Sequence, residues 1–262
     1  MAEAWPWYVL AGAAAGLAAG LLGVGGGLVV VPVLAWSFAR LGFDPGQIMH
    51  LALGTSLAVI VPTAVSSLRA HHRRGAVRWD LFRALGPGVA AGALAGAGLA
   101  HLFSTQALKV FFGLFELAVA VQMGLDLRPR GGRALPGAPA LAAAGGGIGV
   151  LSALAGIGGG TLTVPFLAWC RVPVHQAVAT SAACGLPIAA AGALGFIATG
   201  WARPGLPAWS AGYVHLPALA AVATASVLTA PVGARLAHRL PPRTLRRVFA
   251  VVLAVLGARM LV

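Results

Sequence analysis

Nearly the whole of this sequence is divided into apolar stretches of roughly 18–25 residues, the length that crosses a lipid bilayer as an α-helix. Of its 262 residues, 59% are hydrophobic and only 9% are charged, and the mean hydropathy is +0.90. A soluble domain would carry roughly a quarter charged residues. Backbone polar groups in lipid must bond within their own segment, and long Ala, Leu, Gly and Val runs are not the alternating strands of a barrel. The sequence therefore predicts an all-α polytopic membrane protein.

The charge distribution separates two explanations of the strongly basic composition. The net charge is +13 and the isoelectric point is about 11.8, values typical of nucleic-acid-binding proteins. Here, however, Lys and Arg lie in the loops between apolar stretches. This placement is typical of basic residues held on the cytoplasmic face beside anionic lipid. The sequence therefore predicts membrane lipid, and no nucleic acid, as a partner.

Neither the cysteines nor the N-terminus indicates a cofactor or a leader segment. Cys170 and Cys184 lie in or next to apolar segments, and no Cys/His spacing suggests a metal or redox site. The sequence thus predicts no cofactor and no metal. The first residues, MAEAWPWYVL, lack a positively charged region, so a cleaved signal peptide is not expected.

An internal repeat divides the chain into two homologous halves. The element Gly-x-Gly-Gly-Gly-x4-Pro occurs twice, and a His-x4-Thr-Ser-x5-Pro element follows each copy. A third element, Gly-Ala-x-Leu-Ala-His, lies later in each half. The matched copies are 23–32 and 156–165, 50–62 and 175–187, and 96–101 and 233–238. We predict one transport domain built from repeats at 1–127 and 138–262, joined by a cytoplasmic linker at 128–137.

Each half is predicted to contain five helices, of which the first two form a glycine-broken or re-entrant pair and the other three span the membrane. The predicted helices cover residues 5–22, 27–40, 47–69, 80–102 and 106–126, and then 138–155, 160–171, 175–199, 213–238 and 244–261. The joining stretch DLRPRGGRALPGAP is rich in Pro, Gly and Arg, as loops are. The sequence leaves open whether 5–40 and 138–171 are re-entrant pairs or two short spans each.

The distribution of Lys and Arg predicts that the two halves are inverted with respect to each other. If the loops at 69–83, 128–133 and 235–247 face the cytoplasm together with Arg171, 14 of the 18 Lys and Arg residues lie inside, as the positive-inside rule favours. Loop 70–79 then lies inside, whereas its counterpart 200–212 lies outside. An odd number of crossings in each half produces this arrangement, so we predict inverted-topology repeats.

The two glycine-rich elements are the candidate substrate site. Consecutive glycines permit unwound backbone, and each run precedes a short helix whose first N–H groups have no intrahelical partner. Such an N-terminus carries partial positive charge and binds anions without a buried cation. Glycine interruptions at matching positions of inverted repeats are typical of transporter binding sites. The residues concerned are Gly23, Gly25, Gly26, Gly27, Gly156, Gly158, Gly159, Gly160 and Thr161.

Close helix packing is the alternative explanation for these glycines. That explanation fits Gly12-x3-Gly16 and Gly92-x3-Gly96, because residues four apart on a helix form one smooth face. It does not explain four glycines within five positions, found twice. We therefore expect packing from the spaced glycines and unwound backbone from the clustered ones.

The duplicated glycine element, the Thr-Ser and Pro of each half and the apolar duplication over the whole length resemble the TauE/SafE sulfite exporter family of membrane permeases. The resemblance covers essentially the full chain. It implies export, or sometimes uptake, of sulfite, sulfonates or related small organic anions. Members of the family differ in substrate, so the resemblance specifies neither the anion nor the direction of transport.

Hydroxyl residues recur at equivalent positions in the two halves. Thr55 and Ser56, like Thr180 and Ser181, lie early in paired helices. Their hydroxyls are placed to donate to anion oxygens that the helix N-termini leave uncovered. Helix–helix hydrogen bonds, which are common for Ser and Thr in membranes, are the alternative role.

Proline and histidine residues also recur in these paired helices. Pro62 and Pro187 each free a carbonyl group and are predicted hinges. His50 and His175 lie near the predicted helix starts, where we expect interfacial polar residues.

Together these features predict a secondary transporter of a small anion in the cell inner membrane, working by alternating access around a midplane site. Glu116 lies in the middle of a predicted span and is a candidate for proton coupling, although its counterpart Leu253 is apolar. A protonated structural glutamate is the alternative. The competing functions are a passive anion channel and an intramembrane enzyme, and the sequence lacks the nucleophile/base pair or metal cluster that an enzyme needs. The oligomeric state stays open.

Overall fold

The computed structural model describes residues 5–22, 26–125, 132, 134–237 and 242–262. Within these ranges the chain forms ten α-helices and one two-stranded β-hairpin. The helices of the first half are α1 (Trp5–Leu22), α2 (Gly27–Arg40), α3 (Ile48–Arg73), α4 (Trp79–Leu102) and α5 (Thr105–Gly124). Those of the second half are α6 (Ala138–Leu154), α7 (Gly160–Trp169), α8 (Val174–Gly200), α9 (Leu216–Ala237) and α10 (Pro242–Leu261). The strands β1 (Ser210–Ala211) and β2 (Val214–His215) lie between α8 and α9.

All ten predicted helices are present, and most of their ends differ by a few residues from those predicted. The prediction that the ninth helix begins at 213 is wrong, because residues 210–215 form the β-hairpin. Trp209 and Gly212 have φ angles of 64° and 54°, left-handed values that interrupt a helix. A Cβ at Gly212 would overlap the backbone of Ile197, so the close approach of the hairpin to α8 requires a glycine.

The described helices fall into long and short classes. Four of them, α3, α4, α5 and α8, are long and apolar enough to cross a membrane, whereas α2, α6, α7 and the 216–230 part of α9 are shorter apolar helices. The 14 residues of α2 and the 10 residues of α7 extend about 21 Å and 15 Å, well short of the roughly 30 Å hydrocarbon core. The chain is therefore an all-α, multi-pass membrane protein, as its composition predicts.

Two helix pairs, α1 with α9 and α4 with α6, pack in parallel through glycine faces. Each pair takes one helix from each half, and residue numbers rise together along its two members. The facing residues are Gly12 with Val222, Gly16 with Ser226, Gly88 with Ala142, Gly92 with Gly146, and Gly96 with Val150. A Cβ at any of these glycines would overlap the backbone of the partner helix. The prediction that the spaced glycines serve close packing is confirmed.

The helices that correspond to each other in the two halves cross in antiparallel directions. Residue numbers rise along one helix as they fall along its counterpart. In α3 and α8 the contacts are Gly54 with Phe196, Leu57 with Gly192 and Ile60 with Ala189, and in α5 and α10 they are Gly113 with Gly257 and Gly124 with Ala250. A two-fold axis in the membrane plane relates helices in this way, whereas an axis along the membrane normal leaves them parallel.

The antiparallel α3–α8 pair defines two ends of the molecule. The β-hairpin lies beside the start of α3, since a Cβ at Gly54 would overlap the carbonyl oxygen of Tyr213. We call this the hairpin end. At the other end, the backbone N–H of Arg78 donates to the Thr180 hydroxyl near the start of α8 over 3.1 Å. We call this the loop end, after the α3–α4 loop at 74–78.

The α1–α2 pair enters and leaves the molecule at the hairpin end. The Tyr8 ring near the start of α1 lies 5.9 Å from the His215 ring and 6.2 Å from the Phe38 ring near the end of α2. The start of α2 lies further from the hairpin end than its last residues do. Gly26, the residue before α2, approaches Ala15, and Ala15 lies about 15 Å along α1 from the first residue of that helix. This is about half the thickness of the hydrocarbon core.

The α6–α7 pair enters and leaves at the loop end. The α6 helix runs parallel to α4, which begins at the loop end after Arg78. The α7 helix then leads back to the start of α8, also at the loop end. Each glycine-broken pair thus folds back towards the end of the molecule from which it starts, and the two pairs start from opposite ends.

Candidate substrate site at the two glycine breaks

The two glycine breaks touch each other inside the molecule. A Cβ placed at Gly27, the first residue of α2, would lie 2.7 Å from the carbonyl oxygen of Gly156 and 3.0 Å from the Cα of Ile157. Gly156 has a φ of +60°, and a Cβ there would lie 2.8 Å from Val31 and 2.9 Å from Leu53. Gly27 is therefore required for close backbone approach, and Gly156 for its left-handed conformation as well.

Each break ends at an uncapped helix N-terminus. Gly26 is the N-cap of α2 and Gly159 is the N-cap of α7, and neither helix start has a side-chain capping bond. Gly160 follows as the first residue of α7. The first backbone N–H groups of an α-helix have no partner within the helix, and the helix dipole adds partial positive charge there. Two such donor groups near one contact suit a small anion.

Three buried hydroxyl groups on α7 and α8, beside the second break, have no hydrogen-bond partner among the described residues. They belong to Thr161, Thr163 and Ser181, whose exposed fractions are 8%, 0% and 1%. Gly159 packs beside Ser181, since a Cβ there would lie 3.0 Å from the Ser181 carbonyl oxygen. Buried hydroxyls normally have partners, so these three are the side-chain donors most readily available to a bound anion.

Ser56 holds the second break in position. Its hydroxyl donates to the Gly156 carbonyl over 2.7 Å. The Ser56 hydroxyl proton is therefore used within the protein and is not available to a substrate anion. One turn further along α3, Ile60 faces Gly158, where a Cβ would lie 3.4 Å from Ile60 Cγ2. The residue of the first half that corresponds to Gly156 is Gly23, which together with Gly25 lies outside the described residues.

Thr55 and Thr180 link the two halves through equivalent hydrogen bonds. The Thr55 hydroxyl accepts the backbone N–H of His215 over 3.0 Å, and the Thr180 hydroxyl accepts that of Arg78 over 3.1 Å. His215 and Arg78 each precede the fourth helix of their half. Each threonine thus makes a structural hydrogen bond to the residue that precedes a helix of the other half, and a role in substrate binding stays a prediction.

Replacing Thr55 or Thr180 with valine is expected to lower the free energy of unfolding by about 1–3 kcal/mol, because the partner N–H loses its acceptor. Thr199→Val is the matched control, since the Thr199 hydroxyl bonds the Gly195 carbonyl within its own helix. Thermal unfolding of the purified protein in detergent measures the difference. Equal unfolding midpoints for all three variants would contradict the cross-half role.

The predicted hinges lie at the crossing of α3 and α8. Pro62 and Pro187 are inside these two helices, and the buried residues at the crossing include Ile60, Ala64 and Ala189. A proline inside a helix removes one backbone hydrogen bond and weakens the helix locally. The crossing is therefore a place where the two helices can bend, and the hinge role stays a prediction.

Glu116 lies at the crossing of α5 and α10. Its side chain is fully buried, and neither carboxyl oxygen has a partner among the described residues. A Cβ at Gly257 would lie 3.3 Å from the Cβ of Glu116. The counterpart Leu253 is also fully buried, so the duplication does not require a carboxyl group here. An intramembrane carboxyl group without a cation partner is a functional candidate.

The sequence analysis does not predict that the β-hairpin covers the start of α3. His50, which we expect at a membrane interface, is instead buried. Its Nε2 donates to the Ala100 carbonyl over 3.0 Å, and its ring stacks on the Tyr213 ring at a centroid distance of 4.9 Å. Its counterpart His175 is exposed. The available signal is the spacing of the duplicated elements, since the stretch 187–233 is 12 residues longer than its counterpart 62–96, and the α8–α9 connection at 201–215 contains the hairpin.

His215 closes the hairpin and caps α9. Its Nδ1 accepts the backbone N–H of Ala218 over 3.3 Å. Its ring lies 5.3 Å from the ring of Phe43, 5.6 Å from that of Phe38 and 5.9 Å from that of Tyr8. Burial lowers the pKa of His215 to about 4. The ring is therefore neutral at physiological pH and keeps the Nδ1 lone pair that caps the helix.

The architecture and the site define a class of protein. A helical, multi-pass membrane protein with two glycine-broken helix pairs that meet inside the molecule is built as membrane transporters are. Within the described ranges, no three His, Cys, Asp or Glu side chains lie together in a way that holds a metal ion. The model of the sulfite exporter TauE/SafE family matches residues 8–260, and the chain belongs to this family.

Similar proteins are known from distant organisms. A probable membrane transporter protein of Haemophilus influenzae is 36% identical over 254 residues, which cover 96% of each chain. Another from Methanocaldococcus jannaschii is 28% identical over 262 residues, covering 98% of this chain and 95% of the relative. No solved structure matches the chain significantly. The family and these relatives make the chain a membrane transporter.

Proposed function

We propose that this transporter carries a small anion, such as sulfite, a sulfonate or a related organosulfur or carboxylate anion, across the cell inner membrane. The observation that carries the proposal is the contact of Gly27, at the uncapped start of α2, with Gly156, which lies three residues before Gly159, the uncapped N-cap of α7. Partial positive charge at both helix starts favours an anion. Because the residues at the contact are neutral, the anion is held weakly enough to leave again.

We also propose that residues 1–127 and 138–262 are inverted-topology repeats that form one transport domain. The antiparallel crossings of α3 with α8 and of α5 with α10 support this arrangement, as does the entry of the glycine-broken pairs from opposite ends. In alternating access, the two repeats exchange arrangements and so open the central site to each face in turn. Of the linker at 128–137, residues 128–131 and 133 lie outside the described ranges.

We expect the loop end to face the cytoplasm, beside anionic lipid, and the hairpin end to face the periplasm. Thiol labelling of single-cysteine variants tests this orientation. Arg74→Cys and Ala208→Cys, at exposed positions of the two ends, are made in a background without Cys170 and Cys184. A membrane-impermeant thiol reagent added to intact cells should label the variant at 208 and spare the variant at 74. Labelling at 74 alone would reverse the orientation, and labelling at both would remove the inverted repeat.

Anion flux in proteoliposomes tests the proposed function. Uptake of labelled sulfite is measured with sulfate, thiosulfate, sulfoacetate and small carboxylates as competitors. A carrier shows saturable uptake that the same anion on the far side accelerates, whereas a passive anion channel shows no such acceleration. If no anion of this set is transported or competes, the proposal is refuted.

The same assay tests Glu116, which we propose as the carrier of a coupling proton. Its support is the full burial of the side chain and the lack of a partner for either carboxyl oxygen within the described part of the chain. An imposed pH gradient should stimulate net uptake by the wild-type protein but not by Glu116→Gln, while anion exchange continues in both. Stimulation that persists in the variant would make Glu116 a structural residue.

A further inference from the structure

Two histidines of the duplicated elements meet at the hairpin end of the molecule. His50 belongs to the His-x4-Thr-Ser-x5-Pro element, and His101 ends the Gly-Ala-x-Leu-Ala-His element. The ring centroid of Tyr213 lies 4.9 Å from that of His50 and 6.3 Å from that of His101. Of their counterparts in the second half, His175 is exposed and His238 lies outside the described residues. The proposed substrate site uses neither histidine of the first half, so their role lies elsewhere.

The α8–α9 connection at 201–215, which we call the cover, is held over the start of α3 by contacts at its beginning. The Arg203 guanidinium group donates to His101 Nε2, at the end of α4, over 3.1 Å. The Gln47 amide, just before α3, donates to the Pro204 carbonyl over 3.0 Å. Because this end is expected to face the periplasm, the positive-inside rule does not account for an arginine here. Arg203 instead ties the cover to α4.

The contact of Arg203 with His101 requires a neutral histidine ring. A guanidinium group only donates hydrogen bonds, so His101 Nε2 accepts and carries no proton. The ring proton is then on Nδ1, which is buried and has no partner among the described residues. A second proton would take the lone pair that accepts from Arg203 and would place two cations 3.1 Å apart. Protonation of His101 therefore breaks the contact.

His50 makes the same region unfavourable for added positive charge. Its Nε2 donates to the Ala100 carbonyl, which only accepts, so its Nδ1 carries the lone pair of a neutral ring. This Nδ1 is buried, and it too has no partner within the described part of the chain. A proton there would charge a side chain that is 5% exposed and would leave the new N–H without an acceptor. The cover is thus built on two neutral histidines.

No acidic side chain among the described residues bonds either histidine. The other charged or titratable side chains described at the hairpin end are those of Tyr8, Arg40, Asp44, Lys109, Tyr213, His215 and Arg259. Asp44 accepts from the Gly46 N–H and the Gln47 amide, both over 2.9 Å. Burial raises the pKa of Tyr213, so its hydroxyl is neutral. The α6 helix and residues 186–200 of α8, which pack against α4, contain no titratable side chain.

We propose that Arg203 and His101 form an acid-sensitive latch, which holds the cover over the hairpin end while His101 is neutral and releases it when His101 takes up a proton. The covered arrangement opposes this proton and the released arrangement does not, so the released arrangement binds more protons. Lowering the pH therefore shifts the equilibrium towards release. The cover also lies beside the α1–α2 pair, through the His215 ring, so its release opens the hairpin-end face. The effect on anion entry rests on the proposed transport function.

Hydrogen exchange of the cover, measured by mass spectrometry on the purified protein, tests the latch without any transported anion. Exchange rates are divided by the intrinsic amide rate at each pH, so that the direct effect of pH on the chemistry cancels. Between about pH 8 and about pH 5.5, the range over which histidines commonly change charge, the wild-type protein should lose protection in residues 201–215. We expect a loss of at least about fivefold, because two charges at this distance repel even in water.

Two variants separate the partners of the latch. His101→Gln retains an acceptor for Arg203 but takes up no proton, so its cover should stay protected at both pH values. Arg203→Ala removes the donor, so its cover should exchange at pH 8 about as fast as the acidified wild type. His175→Gln removes an exposed histidine at the other end, and Arg40→Gln removes a cation that lies over the Trp36 ring at the same end. Both controls should respond to pH as the wild type does.

The exchange results decide the proposal. A wild-type cover that keeps its protection at pH 5.5, or a full response to pH in His101→Gln, would refute the latch. An equal loss of protection in Arg203→Ala and Arg40→Gln would assign the effect to general surface charge. Glu116→Gln should keep the wild-type response, which separates the latch from the proposed proton coupling.

Anion uptake gives a second readout, which depends on the transport function. In right-side-out and inside-out vesicles, the pH is lowered on one face at a time, and His101→Gln is compared with the wild type at the same pH so that protonation of the anion cancels. Acid on the hairpin-end face should make the variant about fivefold slower than the wild type in uptake from that face. An exchange response without this difference would refute the opening of the face. If the wild type transports no anion, the proposed function fails, whereas transport without an exchange response refutes the latch alone.

Discussion

Gly27→Ala is expected to lower the rate of anion transport about 100-fold, because the two glycine breaks can no longer touch. The added Cβ would lie 2.7 Å from the carbonyl oxygen of Gly156, and rotation of a side chain does not relieve a clash with backbone. Overpacking of this kind costs about 1–3 kcal/mol, less than the roughly 5–15 kcal/mol that a folded protein has available. The variant should therefore fold and insert, with its site displaced.

The measurement is the initial rate of sulfite uptake per amount of folded protein in proteoliposomes. Gly147→Ala is the control, since a Cβ there has open space around it. Gly26→Val and Gly159→Val, which the glycine pattern alone also predicts to be inactive, form a graded series because the first Cβ contacts at these positions are near 3.0 Å. Wild-type rates for Gly27→Ala would place the site elsewhere, with the surroundings of Glu116 as the next candidate.

Gly92→Leu is expected to reduce the yield of folded protein at least about tenfold. The α4 and α6 helices approach so closely here that even a Cβ at Gly92 would overlap the Gly146 carbonyl. A leucine adds three more carbon atoms and must push the helices apart along their whole glycine face, which costs more than the usual overpacking range of about 1–3 kcal/mol. Without this contact the two halves lose one of their two parallel interfaces.

Size-exclusion chromatography of the solubilised protein measures the yield, and Gly98→Leu is the matched control in the same helix. A Cβ at Gly98 meets no atom within 4 Å, so the control should be recovered like the wild type. Similar recoveries of both variants would mean that α4 and α6 separate without cost, and the packing role of Gly92 would be wrong.

The positions of the helices follow from local properties of the sequence and are therefore predictable. Apolar length, proline and glycine mark where α1 to α10 begin and end, and the four-residue spacing of Gly12 and Gly16 marks a packing face. The sequence does not predict which helices these faces pack against. Gly12 packs against Val222, and no local pattern names a partner more than two hundred residues away.

The same limit applies to the candidate site. The duplication predicts that the two breaks correspond, and the contact of Gly27 with Gly156 agrees with their meeting inside the molecule. It does not predict that Thr55 and Thr180 accept the N–H groups of His215 and Arg78, because no local pattern names a partner from the other half of the chain. Backbone N–H groups also carry no side-chain identity, so the anion is not encoded in the residues that we expect to bind it.

The pairing of α1 with α9 has a consequence for the order in which the molecule is made. At about 5–20 residues per second, a ribosome needs about 10–40 s to synthesise the roughly 200 residues that separate the two helices. During that interval the glycine face of α1, shaped to receive Val222 and Ser226, lies against lipid or a temporary neighbour. Each half supplies packing faces to the other, so neither half buries all of its glycine faces until the other half is present. The glycine face of α1 therefore has no partner until α9 has been synthesised.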